Sequence, residues 1–294
     1  MFIDIHVHTR LFPTIPRFHS HDTYASPEEL FAAYDEIGVE RAVLLPGANP
    51  ECSTGVQSNE ESLHLAKLTN GRFIPFCNAD PRMLSNSGSA PFDYFFKYYR
   101  DLGCKGIGEM CCNLKLRDPL MQNMFKGAEA AGLPLTFHVS PYVGYSYGVV
   151  DDAGLPGLET CLQRFPKLRF FGHSQAFWSE IGVPKNFTER VGYPKGPIEE
   201  EGAVPRLMRK YPNLYGDLSA GSGCNALARD RKYAAKFLEE FQDRLFFGTD
   251  VCQPSMPTMR PLAKLLQEMR ANGEISETIF QKVARENAIR ELGL

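Results

Sequence analysis

The sequence predicts one domain over residues 1–294, a distorted (β/α)8 TIM barrel, and three observations carry that prediction. Eight short runs rich in Val, Ile, Leu and Phe recur at roughly 30–45-residue intervals, the length of one βα unit. Helical patterns with their own start and stop signals lie between them. The glycine-rich turn that marks the first strand of an open doubly wound sheet is missing. The chain also has the length that such a barrel needs, about 250 residues or more.

The runs are "FIDIH" (2–6), "RAVLLP" (41–46), "RFIPFCN" (72–78), "CKGIGEM" (104–110), "LPLTFHV" (133–139), "LRFFGH" (168–173), "NLYGDLS" (213–219) and "RLFFGTD" (244–250). Among the helices, "SPEELFAAYDEIG" shows its signals most fully. Ser26 is placed as N-cap, Pro27 at the first helical position, Glu29 to close a capping box and Gly38 as the stop. "DPLMQNMFKGAEAAG", "PGLETCLQRFP" and "AVPRLMRKYPN" each end in Gly or Pro before the next strand, and "SETIFQKVARENAIRELGL" is a final amphipathic helix. Long loops follow the fifth and sixth runs, at 140–156 and 174–203. Both leave the C-terminal ends of strands, where barrel enzymes build their sites. Their aromatics, Tyr142, Tyr145, Tyr147 and Trp178, are candidates for a pocket wall or lid, with Tyr142 and Trp178 expected to touch substrate.

Composition narrows the function classes. A net charge of −3 gives no basic stripe for nucleic acid. No run of about 18 apolar residues predicts a membrane span. The N-terminus lacks the layout of a signal peptide. The eight cysteines form no C-x-x-C pair, so they read as reduced thiols of a cytoplasmic protein. The expected partner is a small-molecule substrate, and a homo-oligomer is compatible with the sequence.

The chemistry gathers at strand ends. Residues two apart on a strand share a face, so His6 and His8 of "DIHVH" project together. The fourth run contributes Glu109, the fifth His138, the sixth His173 and the eighth Asp250. Four of the seven histidines thus fall at one end of the expected barrel. A lone strand-end His usually makes an ordinary hydrogen bond, and a lone Asp is often a helix cap. Six such residues in chain order point instead to a shared cation. Nitrogen and carboxylate donors without thiolate suit Zn²⁺, with Mn²⁺ or Fe²⁺ as alternatives, as one ion or two.

From "DIHVH" through "LTFHVSP", "FPKLRFFGHSQ", "YPNLYGDLSA" and "RLFFGTDVCQP" to the tail "ENAIRELGL", the chain resembles the amidohydrolase superfamily. It is most similar to the branch called amidohydrolase family 2. The resemblance implies a distorted barrel that uses one or two divalent metals to activate water, while some members of the branch are decarboxylases or hydratases of small acids. It matches His6 and His8 to the first-strand ligands, His138 to the fifth-strand ligand and His173 to the sixth-strand histidine. Asp250 matches the eighth-strand aspartate that binds metal and takes the proton from attacking water. Many binuclear relatives carry a carboxylated lysine on the fourth strand, where this chain has Glu109. Lys105 lies on the same face but about 13 Å lower along the strand. A glutamate at this position bridges two metals in the superfamily's deoxyribonucleases.

The leading expectation is hydrolysis of a small-molecule amide, lactone or related C–N or C–O bond, with Asp250 and His173 catalytic. The alternative is a lyase, a decarboxylase or hydratase of an aromatic or unsaturated acid, for which Arg10 would hold the substrate carboxylate. Arg82 reads rather as a rim residue. A nuclease lacks its basic groove, and a structural metal site would be closed and thiolate-rich. His19 and His21 of "FHSHDTY" are placed on the rim, His64 on a helix surface. Asp217 at the seventh strand end is read equally as a neighbour-orienting group or a site residue. Asn225 and Gln253 are pocket candidates without assigned roles.

Overall fold

The computed structural model describes residues 1–17, 21–52 and 55–294. Among the described residues nine strands follow in chain order: β1 (Phe2–Val7), β2 (Val39–Leu44), β3 (Phe73–Pro75), β4 (Ile107–Met110), β5 (Leu135–Ser140), β6 (Val149–Val150), β7 (Phe170–His173), β8 (Leu214–Asp217) and β9 (Leu245–Phe246). All except β6 are the expected staves. They pair in parallel as β1-β2-β3 and as β4-β5-β7-β8-β9.

Two seams of backbone hydrogen bonds close these sheets into a barrel. Cys77 N donates to Gly106 O at 3.0 Å and Gly108 N to Cys77 O at 2.9 Å, joining the chain after β3 to β4. Ile5 N donates to Phe247 O at 3.0 Å and Asp250 N to His6 O at 2.8 Å, joining the chain after β9 to β1. The eighth run therefore yields only a two-residue strand, because beyond Phe246 the chain leaves the ladder. Asp4 holds it there: this buried carboxylate accepts from Thr249 N at 2.9 Å, Thr249 Oγ1 at 2.5 Å and the Tyr34 hydroxyl at 2.6 Å.

A small apolar cluster fills the cylinder with Ile3, Ile5, Val43, Ile74, Phe171 and Phe246 among its members. Val7 instead joins the larger core against the helices. Strict alternation would have kept Ile5 and Val7 on one face. The pairing register of β1 with β2 breaks between Asp4 and Val7, and such a bulge re-aims the side chains beyond it.

The helix Pro27–Ile37 has its sequence signals in place. Ser26 Oγ accepts from Glu29 N at 3.2 Å, Glu29 Oε2 accepts from Ser26 N at 2.8 Å, and Gly38 ends it at φ 78°. The expected final helix is interrupted by a π-helical turn at Lys282–Glu286. Within that turn Val283 O accepts from Phe247 N at 2.9 Å, a tertiary bond competing with the helix ladder. Its last turn covers the N-terminal end of the strands, where Arg169 donates to Glu291 O and Lys105 to Gly293 O. Lys105 thus faces away from the histidines.

The two long loops carry structure of their own. Segment 140–156 adds β6 alongside β5. Segment 174–203 contains the short helices Gln175–Trp178 and Phe187–Arg190 and a bridge between Gly182 and Glu201. Among the described residues no helix is long and apolar enough to cross a membrane.

Candidate metal centre

His6 and His8 stand at the C-terminal end of β1, and each ring is anchored through Nδ1. His6 Nδ1 lies 2.6 Å from Asp217 Oδ2 at the end of β8, and His8 Nδ1 lies 2.9 Å from Leu45 O. A carboxylate and a carbonyl only accept, so both rings carry their proton on Nδ1. Both Nε2 lone pairs then face each other, 3.0 Å apart, in a site where His6 is fully buried. Two imidazole lone pairs at that distance repel unless a proton or a metal cation lies between them. Around them stand Asp250 Oδ1, 3.5 Å from each Nε2, and Glu109 Oε2, 3.6 Å from His6 and 3.5 Å from His8. His173, at the end of β7, places Nε2 3.6 Å from Asp250 Oδ2 and 3.9 Å from Glu109 Oε1, while its Nδ1 meets Ser219 Oγ at 3.0 Å. The donors fall into two groups sharing His6: His6, His8 and Asp250, and His6, Glu109 and His173, with the ligand atoms of each group within 4.8 Å of one another. The donor set fits a divalent cation.

Electrostatics gives the same answer. Burial alone would depress the imidazoles, yet Asp217, Asp250 and Glu109 hold His6 well above the usual histidine range. Asp250 and Glu109 likewise override burial at His8. Burial would raise the carboxyls, but His6, His138 and His8 pull Glu109 well below the carboxylate range. His6, His173 and His8 do the same for Asp250, and His6 and His173 lower Asp217. Ionised carboxylates thus draw protons onto the rings, and a metal ion takes the place of those protons.

The pocket above this cluster holds about 320 Å³ and is lined by His8, Glu109 and Asp250 together with Arg17, Tyr24 and Tyr147. A larger hollow of about 720 Å³, around Glu180, Phe187 and Arg206, contains none of the clustered residues. His138 belongs to neither ligand group. Its Nδ1 bonds Glu109 Oε1 at 2.9 Å and its ring lies 4.6 Å from that of Tyr147. His138, matched by the resemblance to the fifth-strand ligand, thus stands directly against Glu109 at the edge of the cluster. Gly148 permits the close approach of this loop, since at φ 118° a Cβ there would sit 2.9 Å from His138 Cδ2.

All three residues expected to touch substrate lie outside this pocket. Trp178 is 1% exposed, and its Nε1 donates to Asp217 O at 2.7 Å. The indole packs so tightly on β8 that a Cβ at Gly216 would come within 2.7 Å of it, so Trp178 supports the strand behind the site. Tyr142 is half exposed and stacks on Phe187 with ring centres 5.8 Å apart. Arg10 is buried with its guanidinium 4.8 Å from the Tyr24 ring, and it lines a separate hollow beside Leu11 and Phe12.

Arg17, rather than Arg10, lines the pocket. It reaches the pocket by donating to Cys252 O at 2.7 Å and Asp22 at 2.9 Å, and it stacks 4.6 Å over Tyr24. Sequence reasoning missed it because 11–17 carries neither period nor motif. Arg82 is a rim residue, held by Asp80 and Glu51. Gln253 lines the pocket, whereas Asn225 bonds Pro194 O outside it. His21 and His64 are exposed away from the site, and His19 lies outside the described residues.

A closed parallel barrel with a buried imidazole–carboxylate cluster at the C-terminal ends of its strands defines the metal-centre class of barrel enzymes. The amidohydrolase family model Amidohydro_2 matches residues 3–294, and the chain belongs to that family of enzymes. No curated protein matches it. Among solved structures it is similar to an amidohydrolase from Burkholderia multivorans with bound zinc (13% identity, 100% of this chain and 99% of the other, TM-score 0.60). It is also similar to 5-carboxyvanillate decarboxylase from Sphingomonas paucimobilis (19%, 90% and 82%, TM-score 0.59). A third is a candidate 2-pyrone-4,6-dicarboxylic acid hydrolase from Pseudomonas putida (15%, 99% and 97%, TM-score 0.61). At these identities the likeness concerns the fold.

Proposed function

We propose that the protein is a metal-dependent hydrolase of a small molecule carrying an amide, lactone or related C–N or C–O bond. The observation that carries this reading is the division of labour within one carboxylate. Asp250 turns Oδ1 toward His6 and His8 and Oδ2 toward His173. Its side chain is 24% exposed where that of His6 is fully buried, so it is the ligand best placed to meet substrate and solvent. His6, His8 and Asp250 would hold one ion, and Glu109 and His173, with His138 against Glu109, would hold a second. A divalent cation, Zn²⁺ first and Mn²⁺ or Fe²⁺ next, supplies Lewis-acid polarisation of a carbonyl and an acidified water. Asp250 accepts the proton of the attacking water at its carboxylate and returns it to the leaving atom. With a single ion, His173 is free to steady the negative oxygen that develops on substrate.

Arg17 supports a second reading. Its guanidinium faces the same pocket as Asp250 and suits a substrate carboxylate, as a decarboxylase of a small aromatic or unsaturated acid requires. A panel of lactones, amides and carboxylic acids, assayed with metal-loaded protein, separates the two. Acid release without carbon dioxide supports hydrolysis; carbon dioxide release from an acid overturns it in favour of the lyase.

A further inference from the structure

The pocket wall carries thiols that the proposed chemistry does not use. Cys52, on the segment after β2, and Cys111, directly after β4, both line the metal pocket. One buried residue aligns them. Asn49 O accepts from Cys52 N at 3.3 Å and from Cys52 Sγ at 3.3 Å, while Asn49 Oδ1 accepts from Cys111 N at 2.8 Å. Asn49 is fixed in turn, its Nδ2 donating to Asp80 at 2.9 Å, and Arg82 bonds both Asp80 and Glu51, the residue before Cys52. The segment carrying Cys52 is thus fastened to the end of β4 from two sides.

We propose that Cys52 and Cys111 are a redox modification site, forming a reversible disulfide on the wall of the metal pocket under peroxide. Cys52 is half-buried and Cys111 is 1% exposed, so the Cys52 sulfur meets the oxidant first. It attacks a peroxide oxygen, an S–O bond forms, the O–O bond breaks and water leaves with the thiol proton. The Cys111 sulfur then attacks the sulfenic sulfur of Cys52, forming the S–S bond and releasing a second water. Each sulfur gives up one electron, and the peroxide is reduced to two waters. The bond ties the segment after β2 to the strand end two residues beyond Glu109, and thiol–disulfide exchange with a small dithiol reverses it.

The molecule supplies its own control. Cys77 and Cys104 are 0% and 2% exposed and lie outside this pocket. The test is non-reducing peptide mapping by mass spectrometry of the intact, metal-loaded protein after hydrogen peroxide treatment. The expected product links Cys52 to Cys111 with the loss of two hydrogens, disappears with dithiothreitol, and leaves Cys77 and Cys104 as free thiols. Cys52→Ser abolishes the link and Cys77→Ser leaves it unchanged. Sulfinic or sulfonic acid on Cys52 beside a free Cys111, or a link from Cys52 to Cys252, overturns the proposal.

Discussion

His6 Nδ1 and Asp217 Oδ2 lie 2.6 Å apart, both side chains fully buried, on the first and seventh staves of one barrel. This carboxylate–imidazole pair fixes which nitrogen of His6 faces the cluster and raises the basicity of that nitrogen. Asp217→Asn removes the charge while keeping the shape. Partners of this kind are worth about 10–100-fold in metal affinity. Competition of the variant against a chelator of known affinity is expected to show a loss in that range.

Asp250 has a double role that a single substitution separates. Asp250→Asn keeps an oxygen near His6 and His8 but removes the base. Turnover is expected to fall by about 10²–10⁴-fold, while elemental analysis finds metal still bound. Near-normal turnover would remove Asp250 from the proton path.

Arg17 and Arg10 test which cation serves the pocket. Losing a charge-assisted hydrogen bond costs about 1.5–3 kcal/mol, so Arg17→Gln is expected to raise KM for a carboxylate substrate about 10–100-fold. Arg17→Lys, which keeps the charge without the planar fork, falls between. Arg10→Gln is expected to leave KM unchanged, because Arg10 lines a different hollow.

Trp178 is expected to behave as a support of the strand. Trp178→Phe deletes the donor to Asp217 O and leaves a buried carbonyl short of a partner, a cost of about 1–3 kcal/mol. Urea denaturation should register that loss with KM unaltered.

What was legible in the sequence follows from how each feature is encoded. The staves are local, and so are the capping box at Ser26–Glu29 and the placement of His6, His8, Glu109, His173 and Asp250 at strand ends. All could be read from short patterns. The turn of Val7 away from Ile5 depends on a register break with β2, and the π-helical turn at Lys282–Glu286 on a bond from Phe247; neither partner is near in sequence. Trp178 looked like a lid because aromatic residues in long segments often are, but Ser174 caps a turn that carries the indole back onto Gly216. Asp217 offered the same strand-end signal as the other cluster residues, and only the 2.6 Å contact separates orienting from idle. Arg17 had no signal.

Asp151 gives a pH dependence of known sign. Burial raises its pKa from 3.8 to about 6, against the opposing bonds from Leu158 and Gly157 N–H. A carboxyl whose folded value lies above its unfolded one favours the folded state when protonated. That contribution is complete below 3.8 and is lost as pH rises through about 6. At about 1.4 kcal/mol per unit, the loss is on the order of 3 kcal/mol. Denaturant unfolding of the wild type and Asp151→Asn at pH 4 and pH 7 should show the variant gaining relative stability at the higher pH. A difference independent of pH would contradict the shift.

The central claim is that imidazoles and carboxylates from separate strands surround a divalent cation. Calorimetric titration of chelator-stripped protein with zinc tests it most directly. The account predicts saturable binding of one or two ions with release of protons, abolished together by His6→Ala and His8→Ala. No binding by the wild type, or unchanged binding in the double variant, would contradict it.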